Sequence, residues 1–391
     1  MRKISKALKI SIIGLLSVII IGSFAIYAFV IKRPTAIPEI VDTKPYEWNR
    51  VELGEKVQSS NGSGYHLLTK KGENRNWIIF FSGGGVSWDQ NSAAHPIKLK
   101  NLLSGKDSGN YFPNIPFYLL SLLGGMFDNK NPNNPFREWN IVYIPYSTGD
   151  FHVGKHDAEY KKDDGSSFTM HYNGQNNVQS SLEWIYANVD KPEKLLIAGE
   201  SAGGFGSAFW AGEISNHYKE SEIYQYSDSS FLKSDKWPEV VDKEWHADFE
   251  KTFGFAAESD LIGSAFKGNR RLLPANIVLL QSYSLYDEIL IHFQNKINDY
   301  TGPLDEKNIS DWSRQMRQSV KELASTLPNY YYYLTDYDRN NKGTTSHTFS
   351  SQKTFYKAEQ DGVKLLTWLD DIINNQNNYS VGSKFLEELD Q

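Results

Sequence analysis

The chain opens on its most uniform hydrophobic stretch. From Ile10 to Ile31 no charged residue interrupts a run of roughly 22 positions, about 33 Å of helix and enough for a bilayer core of about 30 Å. Arg2, Lys3, Lys6 and Lys9 precede it, and Lys32 and Arg33 close it. A cleaved signal peptide has a shorter apolar region and ends in a small-residue site, and no such site follows here. The pattern predicts an uncleaved signal anchor at residues 10–31 that contacts the lipid bilayer, behind a basic tail at residues 1–9. Positive flanks stay inside, so the protein is expected in the cell membrane, single-pass, with a cytoplasmic N-terminus and everything after Arg33 extracytoplasmic. Residues 32–48 hold three prolines and read as a stalk, which leaves residues 49–391 as one folded domain.

Within that domain short apolar runs alternate with helical periodicity. NWIIFF (76–81), NIVYIPY (140–146), KLLIAG (194–199), SEIYQYSD (221–228), ANIVLLQSYS (275–284) and NYYYYLTDY (329–337) read as strands. Val178, Leu182, Ile185 and Val189 fall at helical spacing, SAFWAGEISNHY follows KLLIAG as a second helix, and residues 350–375 read as a closing helix. Such alternation predicts an α/β fold, a mainly parallel central sheet with helices on both faces, and ligands at the carboxyl ends of its strands. The apolar stretch YFPNIPFYLLSLLGGMF (111–127) reads as a lid or wall packed on the core, or as the lining of an apolar pocket.

Composition narrows the chemistry. The sequence has no cysteine, which excludes disulfides, thiolate metal sites and a cysteine nucleophile. Beyond Arg33 it carries 35 basic against 47 acidic residues, a balance without electrostatic affinity for nucleic acid.

The chemistry concentrates on Gly199-Glu200-Ser201-Ala202-Gly203. G-x-S-x-G between a strand and a helix is the nucleophile elbow of α/β-hydrolases, which makes Ser201 the candidate nucleophile. A serine needs a histidine base, oriented by a carboxylate. In that fold the acid and then the histidine follow the serine, which leaves His217, His246, His292 and His347. His347, in a polar loop between the last strand and the last helix, is the first choice and His292 its rival. Asp287 directly follows a late strand; Glu288, Asp228, Asp336 and Asp338 compete with it. Asp228 has a second reading, as a structural group that holds the histidine loop. The Ala202 N–H and the Gly-rich turn FFSGGGVSW are candidates for the oxyanion hole. As a phosphate loop that turn lacks the Lys-Ser/Thr ending.

Five separated segments together resemble one family, the pectin acetylesterases and Notum-like carboxylesterases. IIFFSGGGVSW is similar to its oxyanion turn, and the stretch from MFDNKNPNNPF to STGDFHVG resembles its Asn-Pro-rich loop and the turn that follows. LLIAGESAGGFG resembles its elbow, while QSYSLYDEILI and TTSHTF fall where the family keeps its acid and base. The resemblance covers most of residues 50–370. It implies an α/β-hydrolase-type serine hydrolase with Ser201, Asp287 and His347 as the triad and Gly85, Val86 and Ala202 as oxyanion donors. The cysteines usual in the family are missing; Ser87 and Ser147 stand near where they commonly pair, and Glu200 departs from the pattern. The expectation is a serine esterase that removes O-acyl groups, O-acetyl first among them, from a cell-envelope or environmental polysaccharide, with no metal or organic cofactor. The alternatives are a lipase-like or depolymerase-type esterase for longer acyl chains and a catalytically silent envelope-binding protein.

Overall fold

A computed structural model describes residues 6–27, 34–104, 109–270, 273, 274 and 276–390. Nine strands form one sheet: β1 (Thr35–Ala36), β2 (Trp48–Glu52), β3 (His66–Lys70), β4 (Trp77–Phe81), β5 (Asn140–Ile144), β8 (Lys194–Glu200), β9 (Glu222–Asp228), β10 (Val278–Ser284) and β11 (Tyr330–Thr335). β6 (His156–Lys161) and β7 (Ser167–Tyr172) make a separate antiparallel hairpin. The sheet order is β1-β2-β3-β5-β4-β8-β9-β10-β11, with β3 antiparallel to both β2 and β5 and every other pair parallel.

β4 and the interiors of β5 and β8 are apolar because both faces of the sheet are covered there. In β8, Leu195 and Ile197 enter one core while Leu196 and Ala198 enter the other. β4 divides the same way, Ile79 and Phe81 against Ile78 and Phe80. Helices α2 (Gly174–Asn188) and α3 (Ala202–His217) cover the first face. After β4 the chain moves outward to β5 and then returns to β8, on the other side of β4. The crevice at the carboxyl ends of β4 and β8 is therefore a topological switch point, where open α/β sheets bind ligands.

Three expectations change. The predicted closing helix begins late: a 3-10 turn at Lys353–Tyr356 and a small hairpin, β12 (Glu359–Gln360) with β13 (Val363–Lys364), precede a helix of nine residues, Leu365–Ile373. Asp361 (φ +53°) and Gly362 (φ +77°) form the two-residue turn, a dipeptide suited to two left-handed positions. The predicted stalk belongs to the domain. Thr35–Ala36 pair with Asn49 and Arg50, Ile40 is buried, and the Trp184 indole N–H donates to Pro38 O at 2.7 Å. The predicted membrane span is not supported. Among the described residues no helix is long and apolar enough to cross a membrane. The N-terminal helix, α1, runs Lys6–Ile26. Its uncharged part is roughly 17 residues, about 26 Å, against a bilayer core of about 30 Å. Residues 28–33 lie outside the described set.

Candidate active site

Ser201 sits at the junction of β8 and α3 with φ +54° and ψ −126°, a region a side-chain-bearing residue adopts only under constraint. The constraint is visible. Its N–H donates to Asp228 O at 2.8 Å, and its carbonyl accepts from Gly204 N–H and Ser230 Oγ–H, both at 3.0 Å. The flanking glycines let the turn press against the sheet. A Cβ on Gly203 would lie 2.0 Å from Phe81 O, and one on Gly199 would lie 2.0 Å from Gly203 O. The turn after β4 lies against the serine, since a Cβ on Gly83 would sit 2.8 Å from Ser201 Cβ.

The expected oxyanion donors divide. Val86 N–H donates to Asn110 O at 2.8 Å, which removes it from the set. Phe112 N–H donates to Gly84 O at 3.0 Å, so this short antiparallel bridge pairs Gly85 with Tyr111 between its two bonds. The N–H of Gly85 is thereby turned to the opposite edge, away from residues 110–112. Ala202 begins α3, where the first N–H groups have no intrahelical acceptor. Gly85 and Ala202 stay as candidates; Val86 does not.

Asp287 and His347 meet. His347 Nδ1 lies 2.7 Å from Asp287 Oδ2, while Asp287 Oδ1 caps α4 (Glu288–Ile297) by accepting from Ile289 N–H and Leu290 N–H at 3.1 and 3.0 Å. One buried carboxylate thus closes a helix with one oxygen and fixes the imidazole tautomer with the other. Burial opposes charge on His347, but the field and hydrogen bond of Asp287, with Asp228 and Glu200 behind, hold its pKa above the ordinary 6.5. The rival histidines His217, His246 and His292 are exposed, as are Asp336 and Asp338. Glu288 accepts from Thr344 Oγ1 at 3.0 Å and braces the loop instead of orienting the base.

Asp228 holds the histidine loop. Its Oδ2 accepts from Phe349 N–H and Ser350 N–H, both at 2.8 Å, and from Ser350 Oγ at 2.7 Å. Because its own carbonyl takes the Ser201 N–H, a single residue ties the elbow to the base loop.

Two supports escaped the sequence reading. His152 Nε2 donates to Ser82 O at 2.9 Å, directly behind the Gly-rich turn, and burial lowers the ring's pKa to about 4, so it stays neutral. Asp150 accepts from Thr148 Oγ1, His152 N–H and Gly174 N–H and fixes that corner. The Ser-Thr-Gly-Asp sequence after β5 marked this corner, but its distance in sequence from Ser82 hid the contact. Ser87 and Ser147 bond elsewhere, to Tyr172 Oη at 2.9 Å and Ser59 Oγ at 3.1 Å.

Segment 111–127 spans the site. It starts against Gly84 and Gly85 and ends on the base loop, where Gly124 N–H donates to Ser351 O at 2.9 Å and Met126 N–H to Ser350 O at 2.8 Å. Phe117 and Leu122 between these ends are exposed.

The pectinacetylesterase family model matches residues 59–253, a span holding the Gly-rich turn, the elbow and Asp228. That match covers just under half of the chain, which is pectinacetylesterase- and Notum-like. Pectin acetylesterase 4 of Arabidopsis thaliana is 23% identical over 173 residues, 43% of this chain and 39% of the relative. Palmitoleoyl-protein carboxylesterase notum1' of Xenopus laevis is 27% identical over 193 residues, 46% of this chain and 36% of the relative. The matched region thus covers little more than a third of these curated relatives. A solved structure of the Wnt deacylase Notum from Drosophila superposes with a TM-score of 0.54 at 16% identity, covering 85% of this chain and 94% of that one. At that identity the likeness is one of fold.

Proposed function

We propose that this chain is a serine carboxylic-ester hydrolase that removes O-acyl groups, with O-acetyl esters on a polysaccharide as the substrate class. The observation that carries the reading is the Asp287–His347 hydrogen bond at 2.7 Å, in a loop tied through Asp228 to the strained turn bearing Ser201. In this reading His347 Nε2 takes the Ser201 Oγ proton as Oγ attacks the acyl carbonyl. The oxyanion forms against the N–H groups of Ala202 and Gly85. His347 returns the proton to the departing sugar hydroxyl, and water, deprotonated by the same ring, frees the acyl group from Ser201.

A second reading, longer acyl chains, is favoured by the exposed Phe117 and Leu122 on the segment that joins the two edges of the site. One experiment tests both: hydrolysis of p-nitrophenyl acetate, butyrate and octanoate, with Ser201→Ala as control. The expected result is activity on the acetate that Ser201→Ala abolishes. An octanoate preference would favour the second reading, and equal activity in the variant would remove Ser201 from the mechanism.

A further inference from the structure

Glu200 has no task in the mechanism above, yet it precedes Ser201 in the chain and is hydrogen-bonded to the loop that carries His347. It ends β8 opposite Asp228 in the register with β9, so two carboxylates stand side by side at the carboxyl edge of the sheet. Asp228 grips the base loop at Phe349 and Ser350, and Glu200 grips the next residue. Ser351 Oγ donates to Glu200 Oε1 at 2.7 Å, and Ser351 N–H donates to Oε2 at 3.1 Å. Ser351 O in turn accepts Gly124 N–H, the end of the segment that crosses the site.

We propose that Glu200 is a positioning residue for His347, which fixes the base loop relative to Ser201 and sets the pH at which the imidazole becomes a competent base. The inference rests on Ser201, Asp287 and His347 acting as the triad. Geometrically, the loop is held by Asp287 on its N-terminal side and by Glu200 on its C-terminal side. Because Glu200 is bonded covalently to Ser201, nucleophile and base then shift as one body. Electrostatically, the titratable groups facing Glu200 are Asp228, His347 and the phenols of Tyr143 and Tyr226. Both phenols are held neutral, chiefly by burial. Burial, followed by the field of Asp228, pushes the Glu200 carboxyl up to about 7 against the Ser351 bonds and the His347 field. Burial thus favours discharge of the clamp, while the carboxylates of Asp287, Asp228 and Glu200 favour the proton on His347.

The sign follows directly. His347 must be neutral to accept the Ser201 proton, and nearby anions raise its pKa. Removing the Glu200 charge lowers that pKa, so the acid limb of activity moves to lower pH. In the native chain a proton on Glu200 loosens the clamp and a proton on His347 removes the base, so the acid limb reports two groups rather than one.

The test uses the full chain as wild type, Glu200→Gln, Glu200→Asp and Ser351→Ala. The readouts are p-nitrophenyl acetate hydrolysis and the rate of fluorophosphonate labelling between pH 5 and 9. Glu200→Gln is expected to lower kcat roughly ten-fold with KM within about two-fold, and to shift the acid limb down by about half a unit with single-proton steepness. Glu200→Asp restores the limb toward that of the wild type. Ser351→Ala, which removes only a hydroxyl, lowers kcat by about three-fold and carries the test if Glu200→Gln does not fold. A wild-type kcat and limb in both Glu200→Gln and Ser351→Ala would overturn the proposal. A lower kcat with an unmoved limb would also overturn it, by reducing Glu200 to a structural contact. Activity and labelling that survive Ser201→Ala would instead overturn the triad on which it rests.

Discussion

The two oxygens of Asp287 do separate work, and a single substitution can pull them apart. Asp287→Asn keeps an oxygen that can cap α4 through Ile289 N–H and Leu290 N–H. It then turns an amide N–H₂ toward His347 Nδ1, which stabilises the wrong tautomer and leaves Nε2 protonated. Activity should fall on the order of 10³–10⁴-fold. Unfolding free energy should change by less than about 1 kcal/mol, because the cap survives. Steady-state kinetics and a urea melt on the same sample check both halves. A large stability loss beside a small rate loss would mean that the capping role dominates. At this scale the triad candidates were legible, because residue type, chain order and position after a strand left few competitors. Val86 was not legible as a misfit, since the carbonyl that takes its N–H belongs to Asn110, twenty-four positions away.

Buried carboxylates tether the base loop to the elbow, beside its backbone bonds with Tyr286, Gly124 and Met126. Asp228 is fully buried and accepts three hydrogen bonds at one oxygen; its other oxygen accepts from Ser282 Oγ and Ser229 Oγ, both at 3.0 Å. Burial raises its pKa, and the bonds from Phe349 and Ser350 work against that. Asp228→Ala leaves the Phe349 and Ser350 N–H groups buried without acceptors, at a cost of roughly 1–3 kcal/mol each. The expected outcome is a lower melting temperature and loss of hydrolysis together, whereas Asp228→Asn keeps an acceptor and recovers part of both. Intact hydrolysis in a folded Asp228→Ala chain would show that the loop holds its place without the tether. Element prediction succeeded where burial on both faces makes a strand continuously apolar, as in Trp77–Phe81. It missed β2, whose residues alternate between half-buried and buried, and β6, most of which faces solvent. The Asp361-Gly362 turn lay inside a helix-like pattern, because Phe355, Leu365, Leu366 and Leu369 keep a plausible helical spacing across it.

On the scale of the molecule, the switch point between β4 and β8 explains why residues scattered from Gly83 to Ser351 converge on one edge. Every segment that carries chemistry follows the carboxyl end of a parallel strand. The sequence pattern made that convergence readable, but it did not reveal where the sheet begins. β1 lies within the stretch expected as a stalk because two residues, Thr35 and Ala36, are too few to produce a period. Their neighbours nevertheless bury Ile40 and bond Trp184. Truncation separates the two possibilities. A chain starting at Pro34 keeps β1, Ile40 and the Pro38 acceptor, and should match the full chain in melting temperature and hydrolysis. A chain starting at Glu47 loses the edge strand, the burial of Ile40, worth about 1.5–3 kcal/mol, and several hydrogen bonds, among them those of Ile37 N–H to Arg50 O, Tyr46 N–H to Lys71 O and the Trp184 indole to Pro38 O, each about 1 kcal/mol. For a domain of this size that predicts a melting temperature several degrees lower, with kcat little changed because four strands, β2, β3, β5 and β4, separate β1 from the switch point. Equal melting curves for the two truncations would return residues 34–46 to the role of a spacer.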